Sequence, residues 1–175
     1  QIVLPDEKSD LLNPALVEGE EALVNAVVSQ VTSESFWKPL VNRPISAEFA
    51  TTSPYGTRRN YTGGDYTGFG YHAGQDFAAP ESVITVAPVP GTVMLAETLP
   101  IRGNAVIVDH GSGVFTGYWH FSELLVEEGQ IVNTGDPLGK IGTTGRSTGP
   151  HLHWELRIYG VAVDPMQFLA GAPNE

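Results

Sequence analysis

The apolar positions of the chain change their period once. Leu23, Val24, Val27, Val28 and Val31 recur at three- and four-residue spacing, the stripe of a helix with one buried face. Asn13-Pro14 supplies its start, because Asn caps free N–H groups and Pro is tolerated at the first helical position. Thr32-Ser33-Glu34-Ser35 breaks the stripe. Phe36-Trp37, with Pro39 and Pro44, then predicts an extended linker packed on the main domain. From Ile45 onward the pattern is β. Ser82–Val89, Thr92–Glu97, Ala105–Asp109, Val114–His120 and His151–Ile158 are short apolar or alternating runs separated by Gly, Pro, Asp and Asn. Residues 128–138 read as two extended pieces around a Gly135-Asp136 turn, and Asp164-Pro165 opens a terminal helical turn carrying Met166, Phe168 and Leu169. Strand runs this close, with little helix between them, imply antiparallel hairpins in a sandwich or barrel. The expected architecture is therefore mainly β: a compact antiparallel domain over residues 45–175, preceded by a helical extension and linker over residues 1–44.

Composition narrows the partners. The 175 residues suffice for one compact domain. The 20 Gly and 13 Pro lie between patterned strands and read as turns rather than disorder. A formal net charge of −11 repels nucleic acid and anionic membrane surfaces, and Arg58-Arg59-Asn60-Tyr61 is too short to outweigh it. The absence of cysteine excludes disulfides, thiolate-ligated zinc, iron–sulfur sites and a thiol nucleophile. No apolar run approaches the ~18–20 residues needed to span a bilayer. Gln1 opens the chain without a charged segment and apolar core behind it, so any leader or anchor is expected upstream. Nothing points beyond a monomer.

The chemistry concentrates in five histidines: His72, His110, His120, His151 and His153. His151-Leu152-His153 opens a strand, and side chains two apart on a strand share a face. The two imidazoles therefore stand side by side, half of a metal site. His72 and Asp76 add a nitrogen and a carboxylate at the end of a Gly-rich approach (Gly63, Gly64, Gly68, Gly70). His120 closes the aromatic run Tyr118-Trp119-His120-Phe121. A zinc hydrolase needs three protein ligands with an open position, a base for the water proton and a donor for the oxyanion. His72, Asp76 and one histidine of the pair supply the ligands. The other histidine of the pair and His120 supply the acid–base groups. His110 is left over and reads as structural. Glu155 shares the strand face of His153 and either hydrogen-bonds a ligand imidazole or is solvated. Asn104 and Arg146 are rim residues.

These blocks in this order resemble the lysostaphin-type peptidoglycan metalloendopeptidases: Pro54–Arg59, Tyr71–Pro80 with His72-Ala-Gly-Gln-Asp76, Gly103–Gly111, Gly129–Val132, and Gly142–Pro150 leading into His151-Leu-His-Trp-Glu155. The likeness covers roughly residues 45–168. It implies a β-domain with a groove across the sheet and zinc held by His72, Asp76 and His153. It also implies His120 and His151 as the unliganded catalytic pair. The implied reaction is hydrolysis of peptide bonds in peptidoglycan stems or cross-links, by an extracytoplasmic protein of the cell envelope or a secreted one. Some members use a tyrosine from the approach loop, for which Tyr61 or Tyr66 is available. With no His-Glu-x-x-His helix in the chain, a histidine base is the simplest substitute.

Two other classes compete. A non-catalytic relative that binds the wall or activates another hydrolase would lack ligands, whereas all positions are filled here. An autoinhibited form would have the N-terminal segment or the Arg59–Gly70 loop across the groove. Residues 128–139 are also similar to the hairpin of biotinyl and lipoyl carriers, but those need an exposed tip lysine, and Lys140 lies past the turn.

Overall fold

A computed structural model of the chain describes residues 1–33, 35, 36, 43–63 and 65–169. Its elements in order are β1 (Ile2–Val3), a 3-10 helix (Asp6–Leu12), α1 (Pro14–Val28), β2 (Thr51–Ser53), β3 (Arg58–Gly63), β4 (Tyr66–Tyr71), β5 (Gln75–Ala78), β6 (Ile84–Val86), β7 (Gly91–Leu99), β8 (Gly103–Asp109), β9 (Val114–Leu124), β10 (Ile131–Val132), β11 (Pro137–Ile141), β12 (His151–Ile158), β13 (Val161–Val163) and a second 3-10 helix (Pro165–Phe168).

Helix α1 starts where its cap requires. Asn13 Oδ1 accepts the Ala15 N–H at 3.0 Å, with Pro14 behind it. The second 3-10 helix repeats the device, with Asp164 Oδ1 accepting Met166 N–H at 2.9 Å. The buried row of α1 is narrower than the sequence stripe. Glu20, Val24 and Val28 are buried, whereas Leu23 is largely exposed and Val31 lies beyond the helix in solvent. One i, i+4, i+8 row is fully buried on the sheet, with Val27 packed partly against the same cluster, and the row's first member is an acid because it caps a turn below it rather than filling a core. Of the expected linker, Trp37 and Pro39 lie outside the described residues. Phe36 N–H donates to His110 O at 2.8 Å, and Pro44 O accepts from Val86 N–H at 2.8 Å.

The main sheet is antiparallel along the path β10-β7-β8-β9-β12-β5-β2, with β13 on β12 and β11 pairing both β6 and β9. Alternation along β12 sorts its two faces. Leu152, Trp154 and Leu156 enter a core with Phe77, Tyr118, Phe121, Leu138 and Ile141. His151, His153, Glu155 and Arg157 point the other way. On that second face Val24 and Val28 of α1 cover Leu95, Leu99, Ala105, Ile107, Phe115 and Trp119, and the remaining surface is the groove.

The approach segment is not the loop that its glycines suggest. Strands β3 and β4 form a hairpin paired from Arg58↔Tyr71 to Gly63↔Tyr66, and β1 joins it in parallel as a separate three-stranded sheet. Its inner face lies on the N-terminal segment, where a Cβ on Gly63 would stand 3.2 Å from Leu4 and 3.4 Å from Leu12. The first residues thus support a wall of the groove.

Candidate active site

Strand pairing assembles the site. His153 sits between Asp76 on β5 and Trp119 on β9, in one cross-strand row. His72 reaches the same point from the end of β4, four residues before Asp76. The connection must pass tightly over β12. A Cβ on Gly74 would lie 2.4 Å from Trp154 O and 2.8 Å from His153 Nε2, so only glycine fits there.

Three atoms that could ligate a metal converge. His72 Nε2, Asp76 Oδ1 and His153 Nδ1 form a triangle with sides of 2.9, 3.0 and 2.9 Å. Each residue is held by its outer atom. His72 Nδ1–H donates to Pro54 O at 3.0 Å, and His153 Nε2–H donates to Glu155 Oε1 at 3.0 Å. Arg59 donates to Asp76 Oδ2 and to Ser53 Oγ. These outer bonds assign the tautomers and leave a lone pair on both inner nitrogens. Two lone pairs and a carboxylate oxygen facing one another at 3 Å repel unless they share a cation. The spacing is that of neighbouring ligands around one ion with bonds of ~2.0–2.1 Å, and two nitrogens with one oxygen is a zinc-type donor set. The residues fit the metal that the family resemblance implies.

The electrostatics agree. Burial alone would raise the Asp76 carboxyl, but the close imidazoles of His153 and His72 drive it far below the usual range. Burial likewise opposes ionisation of Glu155, yet His153, Arg157 and Arg102 hold it low. Between these two carboxylates the His153 pKa is raised against its own burial, whereas burial lowers that of His72. The same negative field that favours a proton on His153 favours a divalent ion.

The other two histidines stand beside the triangle without completing it. His151 Nδ1–H donates to Gly149 O at 2.8 Å, and its Nε2 lies 3.9 Å from Asp76 Oδ1. His120 Nδ1–H donates to Thr144 O at 2.8 Å, and its ring centroid is 4.8 Å from that of His151. Both inner Nε2 atoms carry lone pairs. Burial is the main reason that both pKa values are lowered, His120 strongly. The resting state is therefore two neutral imidazoles offering acceptors. His120 owes its aim to a β-bulge: between the pairs Asn104↔Phe121 and Val106↔Tyr118, one residue of β8 faces two of β9. At that point His120 has φ +69°, and its N–H donates to Arg102 O at 2.9 Å. A positive φ at a non-glycine residue is uncommon and clusters at functional sites.

Of the remaining sequence expectations, His110 is buried away from the groove, donating to Pro90 O at 2.7 Å and meeting Thr116 Oγ1 at 2.8 Å. Glu155 is not solvated; besides His153 it accepts Trp119 Nε1–H at 3.1 Å and Arg157 Nε–H at 2.8 Å. Tyr61 and Arg146 line the groove, a cavity of about 270 Å³. Asn104 serves a turn instead, donating to Phe121 O at 3.0 Å. The Tyr66 side chain lies outside the described residues. Arg59, the anchor of Asp76, is not singled out by the sequence for that role.

The description peptidase family M23 matches residues 70–165, more than half of the chain. The chain belongs to this family. Its matched region contains His72, Asp76, His120, His151 and His153. The chain is 42% identical over 96 residues to the peptidoglycan DD-endopeptidase ShyA of Vibrio cholerae, a match covering 55% of this chain and 22% of that protein. It spans less than a third of the length of the curated relatives that it matches. Among solved structures, a zinc containing peptidase from Vibrio cholerae superimposes with a TM-score of 0.67 at 30% identity, covering 78% of this chain and 41% of that one. The catalytic domain of lysostaphin from Staphylococcus simulans does so with a TM-score of 0.60 at 28% identity, covering 69% and 92%. Family M23 membership agrees with the lysostaphin-type blocks read from the sequence.

Proposed function

We propose that this chain is a zinc-dependent endopeptidase that hydrolyses peptide bonds in the stems or cross-links of bacterial peptidoglycan, acting outside the cytoplasm, with residues 45–175 as its peptidase unit. The observation that carries this reading is the convergence of His72 Nε2, Asp76 Oδ1 and His153 Nδ1 at 2.9–3.0 Å, beside two histidines that do not ligate. Three ligands with free neighbouring bases are the arrangement of a hydrolytic site, whereas a structural zinc has four protein ligands. The relatives' names point to peptidoglycan as the substrate class.

His72, Asp76 and His153 would hold the ion. When bound, zinc supplies Lewis acidity to the scissile carbonyl and makes water a nucleophile near neutral pH. The rest falls to the chain. His151, neutral and held by Gly149 O, presents Nε2 as the acceptor for the water proton. The nucleophile adds to the carbonyl carbon, and the C–N bond then breaks as the leaving amine takes up a proton. The expectation that His120 donates directly needs one addition. With Nδ1–H committed to Thr144 O, its resting Nε2 is an acceptor. It becomes a donor to the oxyanion or the amine only after receiving a proton, and His151 is the neighbouring carrier. The filled ligand set speaks against a non-catalytic relative.

The test is metal analysis of the purified chain followed by digestion of isolated sacculi, with mass spectrometry of the new ends. About one zinc per chain with new amine termini, both lost on chelation and regained with added zinc, is the expected result. A zinc-loaded chain that releases no peptide ends from walls of several cross-link types would refute the reading.

A further inference from the structure

Four arginines line the cavity: Arg59, Arg102, Arg146 and Arg157. In a chain of net charge −11 such a concentration at one site needs a reason, and three of them have an internal one. Arg59 pairs with Asp76. Arg102 pairs with Glu20 and Glu21 at 2.9 and 2.6 Å. Arg157 pairs with Glu155 and Glu21 at 2.8 and 3.4 Å. Arg146 differs. Among the described residues its guanidinium has no ion pair and no hydrogen bond; it lies over the Tyr61 ring, 4.6 Å from the centroid. Stacking satisfies the flat face of a guanidinium and leaves the N–H fork at its edge free.

Its mount is rigid. Arg146 N–H donates to Ile101 O at 2.8 Å. Its neighbour Gly145 has φ +66°, and a Cβ there would lie 2.4 Å from Gly103 N and 2.5 Å from Ile101 O. The loop is therefore pressed onto the β7–β8 turn and admits only glycine. Thr144 O and Gly149 O of the same loop hold His120 and His151, so one short segment sets both bases and the free guanidinium. Burial is what chiefly disfavours the charge on Arg146; the like charges of Arg102 and Arg59 add a repulsive field, against which Tyr61 and Glu20 act. An incoming anion would relieve that field.

We propose that Arg146 is a specificity-determining residue whose guanidinium fork binds a carboxylate of the substrate peptide in the cavity beside the metal centre. The proposal rests on the peptidase reading, which makes the ligand a stem peptide with several free carboxylates. A planar fork suits a carboxylate better than a carboxamide, because both oxygens accept and the charges are opposite.

The test uses one cross-linked stem peptide and a set in which each of its carboxylates is amidated in turn. Binding is measured by calorimetry in an inactive His151→Ala background with Arg, Gln or Lys at 146, and hydrolysis in the active chain with the same three residues. Zinc content and melting temperature confirm that each variant is folded and loaded. One amidation should weaken binding about ten- to a hundredfold with Arg146 present, and the same amidation should have no effect in Arg146→Gln. Arg146→Lys should fall between. In the active chain Arg146→Gln should raise KM on the free-carboxylate peptide and leave kcat nearly unchanged. If no amidation distinguishes Arg146 from Gln, the proposal is wrong, whatever the activity. If binding discriminates through Arg146 but no peptide is cleaved by the active chain, the peptidase reading falls and the carboxylate site stands. If no peptide binds, both fall.

Discussion

Glu155 Oε1 lies 3.0 Å from His153 Nε2, so the imidazole that contributes Nδ1 to the ligand triangle is oriented from behind by a buried carboxylate. The other oxygen of Glu155 is held by Arg157 at 2.8 Å, and Arg157 in turn reaches Glu21 and Asn25 of α1. Replacing Glu155 by Gln keeps the shape and removes the charge. Zinc affinity should drop about ten- to a hundredfold, the usual cost of losing such a partner. Unfolding stability should drop by about 3 kcal/mol, because Arg157 loses its buried counter-charge. Zinc competition titration and urea melts measure the two effects. An unchanged affinity would mean that His153 is oriented without Glu155.

The proposed ligand and base roles should separate by variant. His72→Ala, Asp76→Ala and His153→Ala should each lose the metal together with activity. His151→Ala and His120→Ala should retain about one zinc and lose roughly 10²–10⁴ in kcat, the range for general acid–base groups. Metal analysis alongside turnover decides. A His151→Ala chain without zinc and a His153→Ala chain with it would reverse the assignment within the pair.

Glu20 closes the turn that carries part of the groove. Its carboxylate accepts Ile101 N–H at 2.5 Å, Arg102 N–H at 3.1 Å and Arg102 Nη1–H at 2.9 Å. Glu20→Ala strands two backbone donors and leaves Arg102 with Glu21 as its remaining ion-pair partner, and should cost about 3 kcal/mol. Glu20→Gln, which keeps acceptors, should cost less. Because the turn also supports the loop behind His120, Glu20→Ala should lower kcat with zinc retained. Urea denaturation and turnover measured on the same preparations test this; equal stability of the Ala variant and the parent chain would contradict it.

His110 is buried with its pKa pushed down to about 4 from 6.5, chiefly by desolvation. Between these values the unfolded chain binds a proton that the folded chain refuses, so stability rises with pH across the window and is lost as pH falls through it. His110 alone accounts for a decline of about 3 kcal/mol from pH 7 to pH 4. Wild type should therefore show a steeper loss over that range than His110→Gln, by up to about 1.4 kcal/mol per pH unit. Urea midpoints at several pH values provide the comparison, and parallel curves would count against it.

What could be read from the chain in advance depended on locality. The Asn13 cap, the Asp164 turn and the strand His151–Ile158 depend on neighbours in sequence, and they stand as expected. That His72, Asp76 and one histidine of the pair at 151 and 153 converge was readable from side-chain type and strand period, whereas the choice of His153 came from the family resemblance. The rest is non-local. Leu23 matched the apolar stripe but faces solvent, while Glu20 is buried because it caps a turn 81 positions away. The hairpin of β3 and β4 carries Gly63, Gly68 and Gly70 and has no strong apolar alternation. Its pairing is enforced by β1 and the N-terminal segment, which no local pattern announces. Pro54 O, Gly149 O and Thr144 O hold three of the four site histidines, and a backbone carbonyl has no signature in side-chain order.

The separation of the two sheets also bears on how such a protein can be altered. The proposed ligands and bases lie on β5, β9 and β12 and at the end of β4. Tyr61, Tyr71 and Arg59 of the groove wall lie on the small sheet, which rests on the first dozen residues. Interchange of the wall with that of another protein would re-tailor which peptide is accepted while the reaction centre stayed as it is. The graft must keep one residue, Arg59, because that side chain crosses from the wall to grip Asp76.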